Sequence, residues 1–141
     1  MNEKKTVCRW AALSLSSIAE VFLKDILLPR DESETVEHKL VAVSSTKPIT
    51  EAHKWLQKID GVDLGAVEVY QDWQEMLQKA DFDVVYISTP HPLHYHQVMT
   101  ALEMKRDVLV EKPATMNAAQ FGRLVKIAEG QGVVLMEAMC T

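Results

Sequence analysis

The chain has 141 residues, of which 48% are hydrophobic and 25% charged, and a formal net charge of −5. That length and apolar share suit one globular domain with a real core, and the acidic balance without any Lys/Arg cluster argues against a nucleic-acid partner. No apolar run approaches the roughly 18 residues of a membrane span, and "MNEKKTVCRW" lacks the apolar stretch of a secretory leader, so a cytoplasmic protein with no membrane partner is expected.

The first predicted element is a strand over residues 7–13. It carries Cys8, one of two cysteines; neither Cys8 nor Cys140 belongs to a spaced framework, and both read as buried thiols of a reducing compartment. The strand runs into "SLSSIAE", a small-residue turn opening a helix. Set against G-x-G-x-x-G/A, it puts Ser14 and Ser16 at the first two glycines and Ala19 at the third position, so only the last fits. A left-handed backbone at a serine costs about 1–2 kcal/mol. Helix-start amides still favour an anion, and the hydroxyls of Ser14, Ser16 and Ser17 can donate to phosphate oxygens, with Ile18 in the same turn. The plain alternative is a strand-to-helix turn with a serine N-cap.

The mixed-charge run "RDESETVEHK", residues 30–39, reads as a solvated connector. A second strand over residues 39–45 ends in "VSSTKP". An acidic residue there would grip the ribose hydroxyls of NAD; instead Ser45, Thr46 and Lys47 offer hydroxyls and a cation, which suits the 2′-phosphate of NADP. A polar loop leading through Pro48 into a helix is the competing reading.

Helical spacing then brings Ala52, Trp55, Leu56 and Ile59 onto one face, and Trp73, Met76, Leu77 and Ala80 onto another, both expected to be core. A short strand over residues 66–69 separates them. Strands over residues 83–88, 107–110 and 132–137 follow, apolar on successive positions, as in sheets buried on both faces. The last helix carries Phe121, Leu124, Val125 and Ala128 as its core stripe. Asn117 caps its start with Gln120 reaching back, and Gly130 and Gly132 stop it. Strand and helix alternate throughout, which predicts α/β architecture with an open, doubly wound parallel sheet whose ligands sit beyond the strand carboxyl ends.

The fourth strand ends in "YISTPHPLHYH". Thr89 and Pro90 form the turn, and His91, His94 and His96 follow; the spacing matches no strong metal pattern, so no metal is assigned and cofactor donation or a helix start is favoured. The fifth strand delivers Glu111, Lys112 and Pro113. Charge at the end of a buried strand is costly unless the two residues serve each other or a ligand, and a partly desolvated Lys112 would polarise a carbonyl or hydroxyl oxygen during hydride transfer. Pro113 is a candidate for a cis bond that aims the lysine. The alternative is a surface ion pair in an ordinary loop.

Taken together, "STPHPLHYHQVMTALEMKRDVLVEKPATMNAAQF" and the closing "VLMEAMCT" resemble the nucleotide-binding domain of the Gfo/Idh/MocA oxidoreductases, most of all the branch of dimeric dihydrodiol dehydrogenases and NADP-dependent D-xylose dehydrogenases. The resemblance covers nearly the whole chain and implies a Rossmann-type domain over residues 1–141 with NADP as cofactor. It implies Lys112 as the catalytic residue near the nicotinamide, and Thr89, Pro90, His91, His94 and Glu111 along the cofactor cleft. Ser45, Thr46 and Lys47 would meet the 2′-phosphate, although family members commonly carry an arginine at the position of Thr46. The family's loop glycines align with Ala11, Ser14 and Ser16. Members also carry a second α/β domain that supplies the sugar or diol pocket, a further acid/base residue and the sheet used for homo-oligomerisation. The chain is therefore expected to be a fragment or truncated product that is inactive alone and exposes apolar surface. A rival reading is a non-catalytic Rossmann-like binding module with a degenerate nucleotide loop.

Overall fold

A computed structural model describes residues 6–29, 31 and 33–138. Along the chain run β1 (Thr6–Leu13), α1 (Ser17–Ile26), β2 (Val36–Ser44), α2 (Ile49–Gln57), a short 3-10 turn (Leu64–Ala66), β3 (Glu68–Tyr70), α3 (Trp73–Lys79), β4 (Val84–Ile87), α4 (His91–Glu103), β5 (Asp107–Glu111), α5 (Ala118–Gln131) and β6 (Leu135–Ala138). The six strands form one sheet in the order β3-β2-β1-β4-β5-β6, every neighbouring pair parallel. This is the doubly wound α/β arrangement expected from the alternating pattern, and its order reverses between β1 and β4.

Two apolar layers explain why the strands are apolar on successive residues. Trp10 and Ala12 of β1 face Ala19 and Leu23 of α1 and Trp55 and Leu56 of α2, whereas Ala11 and Leu13 face the opposite layer. There Met76 and Leu77 of α3, Val98 and Leu102 of α4 and Leu124 of α5 cover β4 and β5. The register of β1 against β2 slips between Trp10 and Ala11, where Leu40 is followed by Ala42 as the next partner. That bulge puts Leu40 and Val43 in the first layer while Val41 and Ala42 both serve the second.

Several expected boundaries and burials are corrected. The connector read at residues 30–39 contributes its last part, from Val36, to β2, whose opening alternates half-buried and exposed side chains before Leu40 enters the core. The third strand starts later than expected because Asp63 caps the 3-10 turn, accepting from the Gly65 amide at 3.1 Å. Gly130 lies inside α5, and the stop is Gly132 alone, in the left-handed region at φ 70°. β6 accordingly begins at Leu135. Phe121 is exposed rather than core, because the buried stripe of α5 narrows to Leu124 and Ala128. Asn117 does cap α5, accepting from the Gln120 amide at 2.9 Å, but the Gln120 side chain returns to the Met116 amide instead of the cap residue's own. Cys8 is half-buried, its thiol pKa raised first by burial and then by Asp83 and Asp107. Cys140 lies outside the described residues, as do the last three residues of "VLMEAMCT". No described helix is long and apolar enough to cross a membrane.

Candidate functional site

Where the strand order reverses, the carboxyl ends of β1 and β4 diverge and open a cleft of about 960 Å³. Its walls come from the turn after β1 (Ser14, Leu15, Ser16), the loop after β2 (Ser45, Thr46, Lys47), Gln71 and Trp73 after β3, and the turn after β4 with the start of α4 (Thr89, Pro90, His91). Among the expected site residues, Ser14, Ser16, Ser45, Thr46, Lys47, Thr89, Pro90 and His91 meet there.

The turn after β1 separates its two serines by conformation. Ser14 has φ 93°, the left-handed region where glycine is ordinarily placed. Ser16 is extended, with φ −78° and ψ 161°, and caps α1: its Oγ accepts from the Ala19 amide at 3.0 Å and lies 2.7 Å from the Ser88 hydroxyl. Only the first position therefore demands what glycine offers, and the serine N-cap anticipated as the plain alternative is present at Ser16. With Ala19 and Glu20 bonded to Ser16, the first-turn amides of Ser17 and Ile18 keep no intrahelical partner. Both side chains are exposed and stand outside the cleft wall, so these two residues can serve an anion through their backbone. Ala11 is no loop residue. It is fully buried within β1, paired with Ala42 and Val85, so Ser14 and Ser16 occupy the turn and Ala19 follows in the first turn of α1.

His94 stands behind the wall rather than in it. The ring is fully buried on α4, with Nδ1 2.9 Å from the Pro113 carbonyl oxygen and Nε2 2.7 Å from that of Thr89. It braces the turn after β4 to the loop after β5. The other two histidines have separate roles: His91 opens α4 at the cleft, and His96 lies edge-on to Trp73 with centroids 5.6 Å apart.

Glu111, Lys112 and Pro113 leave the end of β5, beside the end of β4 to which it is paired up to Ile87 and Val110. Lys112 is exposed, not partly desolvated as expected, and no ion pair joins it to Glu111. The partner of Glu111 is Tyr86, whose hydroxyl donates to it from the adjacent strand. The Lys112–Pro113 bond is cis. Next along the chain, the Ala114 amide donates to the Glu137 carboxylate of β6 at 2.7 Å, and Ala114 itself is buried. Three polar anchors, from Tyr86, His94 and Glu137, thus hold the backbone around a lysine whose own side chain is exposed.

Sequence reasoning missed Gln71 and Trp73 as cleft residues, and Gln97, which accepts from the Thr89 hydroxyl. Applying the strand-end rule to β3 as well as to its neighbours would have found the first two. Trp73 packs partly against the core as its helical spacing implies, yet it is only half-buried, and its remaining surface lines the cleft.

Comparison with known proteins gives a consistent result. Residues 15–139 match the Gfo/Idh/MocA model, described as an oxidoreductase family with an NAD-binding Rossmann fold. The chain is 37% identical over 135 residues to a D-xylose 1-dehydrogenase (NADP(+)) of Hypocrea jecorina, an alignment covering 94% of this chain and 34% of that protein. It is 33% identical to the human trans-1,2-dihydrobenzene-1,2-diol dehydrogenase, with 94% and 37% covered. Among solved structures, the 3-ketoreductase KijD10 of Actinomadura kijaniata in complex with NADP superposes with a TM-score of 0.75 at 26% identity, over 94% of this chain and 38% of that one. The chain thus spans about a third of the length of the relatives it matches.

Proposed function

The chain belongs to the Gfo/Idh/MocA oxidoreductase family, and we propose that its cleft binds NADP as the cofactor half of a sugar or dihydrodiol dehydrogenase. The observation that carries this reading is the convergence of the turn after β1, the loop after β2 and the turn after β4 on one cleft at the reversal of strand order. The pyrophosphate would lie against the amides of Ser17 and Ile18, where the α1 dipole favours negative charge. Ser45, Thr46 and Lys47 would take the adenosine ribose and its 2′-phosphate; the loop directly after β2, residues 45–48, holds no carboxylate to repel that phosphate. Thr89, Pro90 and His91 would flank the nicotinamide side.

NADP supplies the hydride acceptor or donor. Lys112 would orient the reacting oxygen of an aldose or diol and stabilise charge as it develops there, a task for which a fixed backbone and an exposed ammonium without an ion-pair partner among the described residues are suited. The cytoplasm is the compartment that fits a reduced thiol and this cofactor. Taken alone, the chain is expected to bind cofactor without turning over sugar.

The test is calorimetric titration with NADPH and NADH, on the wild type and on Lys112→Met. NADPH should bind at least about tenfold more tightly than NADH, and the substitution should leave its Kd within about threefold, since Lys112 acts on substrate oxygen and lies outside the cleft wall. Folded protein that binds neither would favour the second reading, a Rossmann-like module without cofactor. One observation speaks for that reading: a non-glycine residue holds a left-handed backbone in the phosphate turn.

A further inference from the structure

Beside the cleft, and sharing Leu15 and Lys47 with it, lies a smaller cavity of about 210 Å³ lined by Leu15, Lys47, Glu51, Lys54, Trp55 and Lys58. From Lys47 onward these positions follow the helical steps i, i+4, i+7, i+8 and i+11, so one face of α2 and its entrance build the wall. Three ammonium groups face one carboxylate, and among the described residues none of the three lysines has an ion-pair partner. Clustered like charges repel one another, and an anion seated among them would relieve that repulsion. The Trp55 indole is nine-tenths buried in this wall, and its shielded Nε1–H finds no acceptor among the described residues. Cations in excess over carboxylates are complementary to an anion.

We propose that Lys54 and Lys58, together with Lys47, form the subsite for the 2′-phosphate of NADP and set the preference for NADP over NAD. The inference rests on the cofactor reading above and extends it from the loop after β2 onto α2. A family arginine is expected where Thr46 stands; here the positive charge comes from the helix instead. Lys47 is the hinge of the arrangement, because it borders both the cleft that would take the ribose and the cavity that would take the phosphate. Glu51 weakens the field without cancelling it, leaving a phosphate monoester favoured over a neutral hydroxyl.

The experiment titrates the protein with adenosine 2′,5′-bisphosphate and adenosine 5′-monophosphate, comparing wild type, Lys54→Gln, Lys58→Gln and the double variant. Both lysines are exposed, so the variants should fold as the wild type does. Each single change should raise the bisphosphate Kd about 3- to 10-fold and the double change more than about tenfold, with the monophosphate Kd within about twofold. Inorganic phosphate serves as the competing anion. If wild type prefers the bisphosphate but the variants weaken both nucleotides or neither, the lysine subsite is wrong while the cofactor reading stands; if wild type binds both equally, the subsite and the preference for NADP fall together. If wild type binds neither nucleotide, both readings fall. If inorganic phosphate binds in a lysine-dependent way and displaces no bisphosphate, the cavity is a free-anion site and the inference is overturned.

Discussion

At Ser14 and Ser16 a single substitution, serine for glycine, has opposite meanings two residues apart. Ser14 already holds φ 93°, so glycine there should relieve strain and stabilise by about 0.5–1 kcal/mol, offset in part by a freer unfolded chain. Thermal unfolding should rise by about 2–4 °C. Ser16→Gly should lower it, because the cap bond to Ala19 and the partner of the buried Ser88 hydroxyl are both lost, at about 1 kcal/mol. Equal shifts for the two variants would contradict this division. His94→Ala should be costlier, about 2–4 kcal/mol by chemical denaturation, since it opens a cavity and removes the ring packed between the Thr89 and Pro113 carbonyls, one of which accepts its N–H; a loss below about 1 kcal/mol would mean the brace is dispensable. The sequence displayed every one of these side chains, and the loop serines were legible as a departure from the glycine pattern. What it could not display was backbone sign: nothing in "SLSSIAE" says that the first serine is left-handed and the second extended. The brace was equally hidden, because its two carbonyls belong to residues 5 and 19 positions away.

Elements were more legible than residues, and for a physical reason. Helical stripes such as Ala52, Trp55 and Leu56 follow from local spacing, and the apolar runs of β4 and β5 follow from burial on two faces. Boundaries depended on longer-range partners. β2 begins at Val36 because Thr6–Leu13 offers it a strand to pair with, starting at Thr6 and Val36, and no charge pattern reveals that register. Element ends are also tied by polar contacts that sequence spacing conceals. Arg106 donates to the Leu77 and Ala80 carbonyls at the end of α3, with its guanidinium 4.3 Å from the centre of the Phe82 ring. Arg9 of β1 grips Asp83 just before β4, through side-chain contacts of 3.1 and 3.3 Å, and pairs with Asp81 at 2.7 Å. The hydrogen bond from Arg9 holds the Asp83 carboxyl below the usual carboxylate range. A depressed folded pKa contributes stability that is present above the unfolded value, about 3.9, and lost as pH falls through the folded one. The stability difference between wild type and Arg9→Gln should therefore be constant above about pH 5 and shrink below about pH 4 in urea titrations. A difference that grows on acidification would place the stabilisation elsewhere.

For the molecule as a whole, composition set the class and topology set the site. Acidic balance argues against a nucleic-acid partner, while the reversal of strand order between β1 and β4 opens the cleft. That location was predictable from alternation alone; the contribution of β3, through Gln71 and Trp73, was not, because a strand of three residues scarcely registers in a hydrophobic pattern. The proposed function requires that one cleft, bounded by the carboxyl ends of β1, β2 and β4, receive a dinucleotide. Its most direct test is amide-resolved NMR of the protein titrated with NADPH. Shifts should concentrate in residues 14–18, 45–47 and 89–91 and saturate together with one Kd, while the opposite end of the sheet, around residues 26–28 and 36–39, stays still. Saturable shifts centred on that opposite end, or none at all in a well-dispersed spectrum, would contradict it.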